Sequence, residues 1–169
     1  MVPKIDREIV LKLIEDNRGI IFKICNAYCK NEHDREDLQQ EIVYQLWKSY
    51  PAYKQQYKFT TWMYRVALNI AISFYRKTKI TDNIIALDEA PLEIADKPDN
   101  TPETEKNIST LHQFINGLKE LDKALMILYL EEKSYIEIAE ILGISETNVA
   151  TKISRIKEKL KRQFNTINN

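Results

Sequence analysis

Apolar residues recur at close to 3.6-residue spacing along almost all of this 169-residue chain, and no run alternates apolar with polar as a half-buried strand would. Three Gly and five Pro leave few places for a backbone break, so the expectation is an all-α protein. Ile9, Val10, Leu13 and Ile14 share one stripe, and Ile20, Ile21, Ile24 and Tyr28 the next, with Gly19 expected to break the two apart. After a polar connector, Lys30 to His33, a helix is predicted from about Asp34 to Ser49. Leu38, Ile42, Leu46 and Trp47 form its core face, and Pro51 stops it. A long helix follows from near Phe59, with Thr60 or Thr61 as caps and Trp62, Val66, Ile70 and Phe74 directed at the core.

Between Asp82 and Glu105 the pattern lapses. Eight acids, one base and the prolines Pro91, Pro98 and Pro102 mark an acidic linker with little helical periodicity. The chain therefore divides into two small helical domains, 1–81 and 106–169, joined by 82–105. Helices are expected to resume from about Glu105 to Leu121 and from Asp122 to Leu130.

The segment beyond Lys133 reads as a helix-turn-helix. Ser134 and Glu137 make a capping box for a short helix packed through Ile138, Ala139 and Leu142. Gly143 permits a positive-φ turn, Ile144 plugs the core between the helices, and Ser145 caps the helix from Glu146 to about Phe164. Val149, Ile153, Ile156 and Leu160 face inward. In such a motif the early residues of the second helix reach base edges, here Thr147, Asn148, Thr151 and Lys152, while Arg155 and the lysines beyond it suit phosphates. A helical hairpin with a solvated basic face is the plainer alternative, but capping box, small residue, Gly turn and second cap at this spacing are together more specific.

From Ile42 to Thr81 there is no Asp or Glu, yet the stretch holds seven Lys or Arg and ten of the sixteen aromatic residues. That combination suits single-stranded nucleic acid. Aromatic rings stack on unpaired bases for about 1 to 3 kcal/mol per base, and the bases of the protein neutralise phosphates. Trp47, Trp62 and Phe74 are expected in the core, whereas Tyr53, Tyr57 and Phe59 lie in or beside a loop open to a nucleic-acid role. One chain with a reader for duplex and a reader for single strands points to promoter opening.

Asp34-Arg35-Glu36-Asp37-Leu38-Gln39-Gln40-Glu41, followed by Phe59-Thr60-Thr61-Trp62-Met63-Tyr64-Arg65-Val66-Ala67-Leu68-Asn69, resembles the second region of extracytoplasmic-function (ECF) RNA polymerase sigma factors. Tyr135 to Ser145 is similar to the start of their fourth-region helix-turn-helix. The resemblance spans both domains in order. It implies a sigma factor that binds core RNA polymerase, recognises promoter DNA and promotes strand opening, with an anti-sigma factor as a further partner. It assigns Asp37, Gln40, Glu41 and Gln45 to polymerase docking. The loop Tyr53, Lys54, Tyr57, Lys58 and Phe59 is assigned to a base flipped from the minus-ten element, and Arg65, Asn69, Arg76 and Lys77 to that element itself. Carboxylates one turn apart do make an acidic ridge for a basic partner. Ser73 stands where members commonly have Asp, and Ala150 where the recognition helix commonly has a base. The acidic linker would either follow the polymerase's basic RNA exit path or act as a solvated tether.

Catalysis has little support: there is no Gly-rich phosphate loop and no nucleophile with a base partner, so the protein is expected not to be an enzyme. Cys25, Cys29 and His33 fall at four-residue intervals but lack a fourth ligand nearby, so no cofactor or metal is expected. Two cysteines and no apolar run near the roughly 20 residues of a membrane span fit a cytoplasmic protein without membrane insertion. The alternative to a sigma factor is a stand-alone helix-turn-helix regulator with a helical dimerisation or sensor domain, which would bind duplex sites unaided.

Overall fold

The computed structural model describes residues 7–85 and 102–167, and these are helical nearly throughout. In order they form α1 (Arg7–Asp16), α2 (Arg18–Tyr28), α3 (Glu32–Ser49), a short 3-10 turn (Tyr50–Ala52), α4 (Phe59–Ile85), α5 (Pro102–Asn116), α6 (Glu120–Leu130), α7 (Tyr135–Leu142) and α8 (Glu146–Ile167). No strand occurs among the described residues.

Capping side chains move several boundaries from where periodicity alone puts them. The break between α1 and α2 falls at Asn17, not Gly19. The Asn17 amide donates to the Leu13 carbonyl at 2.8 Å, closing α1 and leaving Gly19 inside the first turn of α2. Helix α3 starts at Glu32, two residues before the expected Asp34, because Asn31 Oδ1 accepts from the Asp34 amide at 2.8 Å. Thr60 and Thr61 are not the caps of α4: the Lys58 carbonyl accepts from the Trp62 amide at 3.2 Å, which places both threonines in the first turn. Pro102, read as linker, opens α5, where its missing N–H costs nothing and its fixed φ suits the helix. Helix α5 ends at Asn116 rather than Leu121, with the Gly117 amide bonded to the Gln113 and Phe114 carbonyls, and α6 begins at Glu120 rather than Asp122. The expected linker is helical at both ends, through Ile85 and from Pro102. Its middle, 86–101, lies outside the described residues.

Helix α4 packs against α2, α3, α6 and α7. This corrects the expected core stripe. Met63, Tyr64, Ala67, Leu68 and Ala71 are buried, while Trp62, Val66, Ile70 and Phe74 are half-buried at its margins. The four-residue apolar row marks one edge of the buried arc, which packing against four helices carries round to Tyr64 and Leu68. Leu38, Ile42 and Leu46 of α3 are fully buried, as expected, at about 1.5 to 3 kcal/mol each. Trp47 stays half-buried, with the Arg7 guanidinium 5.4 Å from its ring centroid.

The two halves are joined where the C-terminal end of α2 meets the N-terminal end of α6. Lys123, 2% exposed, donates from Nζ to the Ala27 carbonyl at 3.1 Å, satisfying an acceptor in the last turn of α2. Its ammonium lies 4.8 Å and 5.3 Å from the Tyr75 and Tyr28 ring centroids. Tyr28 in turn donates its hydroxyl to the Glu120 carbonyl at 2.7 Å. Burial holds the Lys123 ammonium below the usual lysine range. Around this junction lie Arg76 with Glu120 at 2.7 Å, Lys23 with Glu131 at 2.6 Å, and Lys58 with Glu137 at 4.0 Å.

Helices α7 and α8 follow the expected local chemistry. The Glu137 amide donates to Ser134 Oγ at 3.2 Å and the Ser134 amide to Glu137 Oε2 at 2.9 Å, completing the capping box. Gly143 adopts φ of 69° between the helices, and nothing stands within 4 Å of where a Cβ would project. Gly143→Ala therefore adds backbone strain alone. Urea unfolding should show a loss of about 1 to 2 kcal/mol with the m-value unchanged.

Candidate nucleic-acid interface

The recognition helix is positioned by its cap and its inward face. Ser145 Oγ accepts from the Asn148 amide at 3.1 Å, and Val149, Ile153 and Ile156 are buried against the rest of the C-terminal domain. Thr147, Asn148 and Thr151 are thereby exposed along one side of the first turns of α8, with Arg155 exposed one turn further and Lys152 half-buried. The Thr151 hydroxyl donates to the Thr147 carbonyl at 3.0 Å. Not every base of α8 has the setting expected of it: Lys157 packs its ammonium 4.3 Å from the Tyr129 ring centroid of α6. That contact raises its pKa above the usual lysine value.

Aromatic residues from the loop and from α4 condense into one cluster. Tyr50, Tyr53, Phe59 and Trp62 all contact one another, with ring centroids from 5.1 Å (Tyr53 to Trp62) to 6.4 Å (Tyr50 to Phe59). Tyr53 and Phe59 are thus half-buried neighbours of Trp62. Tyr50, one of the ten aromatic residues between Ile42 and Thr81, is the member that only its place beside Pro51 in an aromatic run signals in the sequence. Tyr57 differs: it is 44% exposed, and its carbonyl accepts from the Tyr53 hydroxyl at 2.5 Å. The cluster forms a wall, and Tyr57, Lys54 and Lys58 stand exposed at its rim.

Beyond the loop, Arg65, Asn69 and Arg76 are exposed along α4 with Ser73 between them, a spacing that sets them on one face. Lys77 is exposed beside them. Arg76 is held by Glu120, and its guanidinium keeps that carboxyl below the usual carboxylate range.

Helix α3 carries a second stripe. Asp37, Glu41 and Gln45 recur every four residues in a row that flanks Leu38, Ile42 and Leu46, with Asp37 and Glu41 exposed, Gln45 half-buried and Gln40 exposed alongside. Gln45 Nε2 donates to Glu41 Oε1 at 3.0 Å, and Asp37 faces His33 at 3.5 Å. Next to them, Leu11, Val43, Tyr44, Trp47 and Gln40 line a largely apolar groove of about 660 Å³ between α1 and α3.

Cys25 and Cys29 are buried free thiols, pushed up to about 12 and about 11 chiefly by burial, while His33 is 83% exposed and directed at Asp37. The three do not converge, and the described residues contain no group of three or more metal-ligating side chains. No described helix is long and apolar enough to cross a membrane.

A capped helix-turn-helix stacked on a wholly helical domain defines a helical DNA-binding protein. The family model for Sigma-70 region 2 matches residues 13–80, and that for Sigma-70, region 4 matches residues 108–160. The ECF RNA polymerase sigma factor SigW of Bacillus subtilis is 29% identical over 96% of this chain and 92% of its own length. Among solved structures, CnrH in complex with the cytosolic domain of CnrY matches with a TM-score of 0.68 at 15% identity, covering 95% of this chain and 90% of CnrH. The sigma factor RpoE in complex with the anti-sigma factor NepR from Bartonella quintana matches with a TM-score of 0.66 at 14% identity, covering 91% of this chain and 97% of RpoE. The chain belongs to the sigma-70 family, in its ECF group: it is a transcription initiation factor whose partners are core RNA polymerase and promoter DNA. Family matches in both halves disfavour the stand-alone regulator.

The aromatic cluster separates two tyrosines that the sequence groups together. Tyr53→Ala should cost about 2 kcal/mol of stability in urea unfolding, since it removes a ring packed on three others. Tyr57→Ala, at the exposed rim, should stay within about 0.5 kcal/mol of the parent.

Proposed function

We propose that residues 1–81 dock on core polymerase and engage the melted minus-ten strand, that residues 106–169 bind the duplex minus-thirty-five element, and that the stretch between them is a tether. The observation that carries the docking assignment is the Asp37, Glu41 and Gln45 stripe of α3. It is an acidic ridge on a helix whose neighbouring face is locked into the core through Leu38, Ile42 and Leu46, so it presents a rigid surface to a basic partner helix. The groove beside Gln40 supplies apolar area that a ridge of polar groups lacks.

At the minus-ten strand, the wall of Tyr53, Phe59 and Trp62 supports the shape of a pocket for an unstacked base, and Tyr57, Lys54 and Lys58 provide a stacking ring and phosphate partners at its rim. Arg65, Asn69, Arg76 and Lys77 continue that track along α4. On α8, Thr147, Asn148, Thr151 and Lys152 face base edges, and Arg155 a phosphate. The protein itself performs no covalent chemistry in this reading; nucleotide addition belongs to the polymerase, and the site of action is the cytoplasm. An anti-sigma factor would act by covering these same surfaces, a partner type named for the RpoE relative.

Permanganate footprinting of promoter DNA with core polymerase tests strand opening: reactive thymines should appear only when this protein is added. The Asp37→Lys, Glu41→Lys double variant should lose polymerase binding in a pull-down while its C-terminal domain still shifts duplex DNA. Unchanged transcription would remove the docking assignment. Arg155→Ala should weaken duplex binding evenly across sequences and reduce the salt slope by about 1, as a lost phosphate contact does. An effect confined to one base position would assign Arg155 to sequence reading instead.

A further inference from the structure

The exposed side chains at the start of α8 differ in the hydrogen bonding they have left to give. The Thr151 hydroxyl spends its one hydrogen on the Thr147 carbonyl at 3.0 Å. For a partner outside the helix it keeps lone pairs and a methyl group, and no donor. Asn148 is in the opposite condition. Its backbone N–H donates to Ser145 Oγ at 3.1 Å and completes the cap, while its exposed side-chain amide makes no hydrogen bond among the described residues. The acceptor oxygen and both donor hydrogens of that amide remain open.

The major groove tells these chemistries apart. Adenine presents an acceptor at N7 beside a donor at N6, and a side-chain amide meets both at once. Guanine presents two acceptors, N7 and O6, one of which then faces the amide oxygen. Pairing guanine takes a fork of donors such as a guanidinium, and none of the exposed Thr147, Asn148 and Thr151 carries one. Lys152 beside them is half-buried and ends in a single flexible ammonium. A methyl group without a donor suits the C5 methyl of thymine. We infer that Asn148 fixes one adenine of the minus-thirty-five duplex and that the Thr151 methyl reads the thymine of the adjoining base pair, so that α8 selects two neighbouring A·T pairs. This rests on the assignment of α8 to that duplex, and it names the bases.

Spacing along the helix supports the pairing of the two readers. Asn148, Thr151 and Arg155 stand at i, i+3 and i+7, on one face of α8 whose rotation is fixed by buried Val149, Ile153 and Ile156. Asn148 and Thr151 are about 4.5 Å apart along the axis, close to the roughly 3.4 Å rise of one base pair. They therefore fall on neighbouring pairs when the first turns lie in the groove, with Arg155 further along at the phosphates. Thr147 keeps a hydroxyl without a hydrogen bond among the described residues. Such a group both donates and accepts, so it adds contact to any base and selects none.

The test uses holoenzyme assembled from core polymerase and the full chain, on duplex DNA randomised across both promoter elements, with the bound sequences read out by sequencing. One upstream position should prefer adenine over every other base by about tenfold, with an A·T pair adjoining. Asn148→Ala should flatten that position to within about twofold. Asn148→Asp, which keeps the acceptor and loses the donors, should move it to cytosine at lower overall affinity. Thr151→Val keeps the methyl and should keep the adjoining A·T preference, whereas Thr151→Ser keeps the hydroxyl and should lose it. All four changes are at exposed side chains, and circular dichroism with polymerase pull-down establishes that each variant is folded and assembled. Guanine at the position that Asn148→Ala flattens, or an even loss across all sequences, would overturn the adenine assignment and leave α8 as the duplex reader. A preference kept by Thr151→Ser and lost by Thr151→Val would overturn methyl readout. Unchanged preference and affinity in both Asn148→Ala and Arg155→Ala would remove α8 from the duplex, and the inference with it.

Discussion

Burial of α4 against four other helices is the constraint on which the rest of the molecule depends. Met63, Tyr64, Ala67, Leu68 and Ala71 form its buried arc, with α2, α3, α6 and α7 packed against the helix. Small residues at 67 and 71 let neighbouring helices approach closely. What remains of the circumference carries Arg65, Asn69, Ser73, Arg76 and Lys77. A helix fixed in this way cannot rotate, so its exposed side chains form a stable register that a flexible strand of nucleic acid would have to match.

The same fixing sets up the loop that precedes it. Phe59 and Trp62, in the first turn of α4, meet Tyr50 from the 3-10 turn and Tyr53 directly after it. Four rings in mutual contact give a short irregular segment a rigid base without regular hydrogen bonding of its own. Lys54, Tyr57 and Lys58 are left outward because the space inside is already filled. Rigidity in the aromatic wall and exposure at its rim are one packing outcome.

Charge enters the fold in two ways that should be kept apart. On α3, Asp37 and Glu41 lie in a stripe beside the core row and pair with near neighbours in sequence, His33 and Gln45. At the domain junction the acids of the C-terminal half meet the bases of the N-terminal half. The first pattern offers a surface outward; the second consumes one. Zero net charge over the whole chain conceals both, since it is the placement of the acids that decides which bases are available.

The sequence by itself determined the helical class and the helix-turn-helix almost residue by residue. Ser134 with Glu137, Gly143, and Ser145 with Asn148 act over no more than a few residues, so their hydrogen bonds and backbone angles are set by neighbours in the chain. It likewise exposed the α3 stripe, whose four-residue period sets Asp37, Glu41 and Gln45 in a row flanking Leu38, Ile42 and Leu46. Tertiary structure alone decided which arc of α4 is core, because that depends on how α2, α3, α6 and α7 pack on it together. It also decided that Tyr53 and Phe59 join a wall while Tyr57 does not, and that Arg76 meets Glu120 across 44 residues and Lys23 meets Glu131 across 108. Pairings at that separation carry no periodic signal, since they are chosen by how whole helices pack and not by the spacing along any one of them.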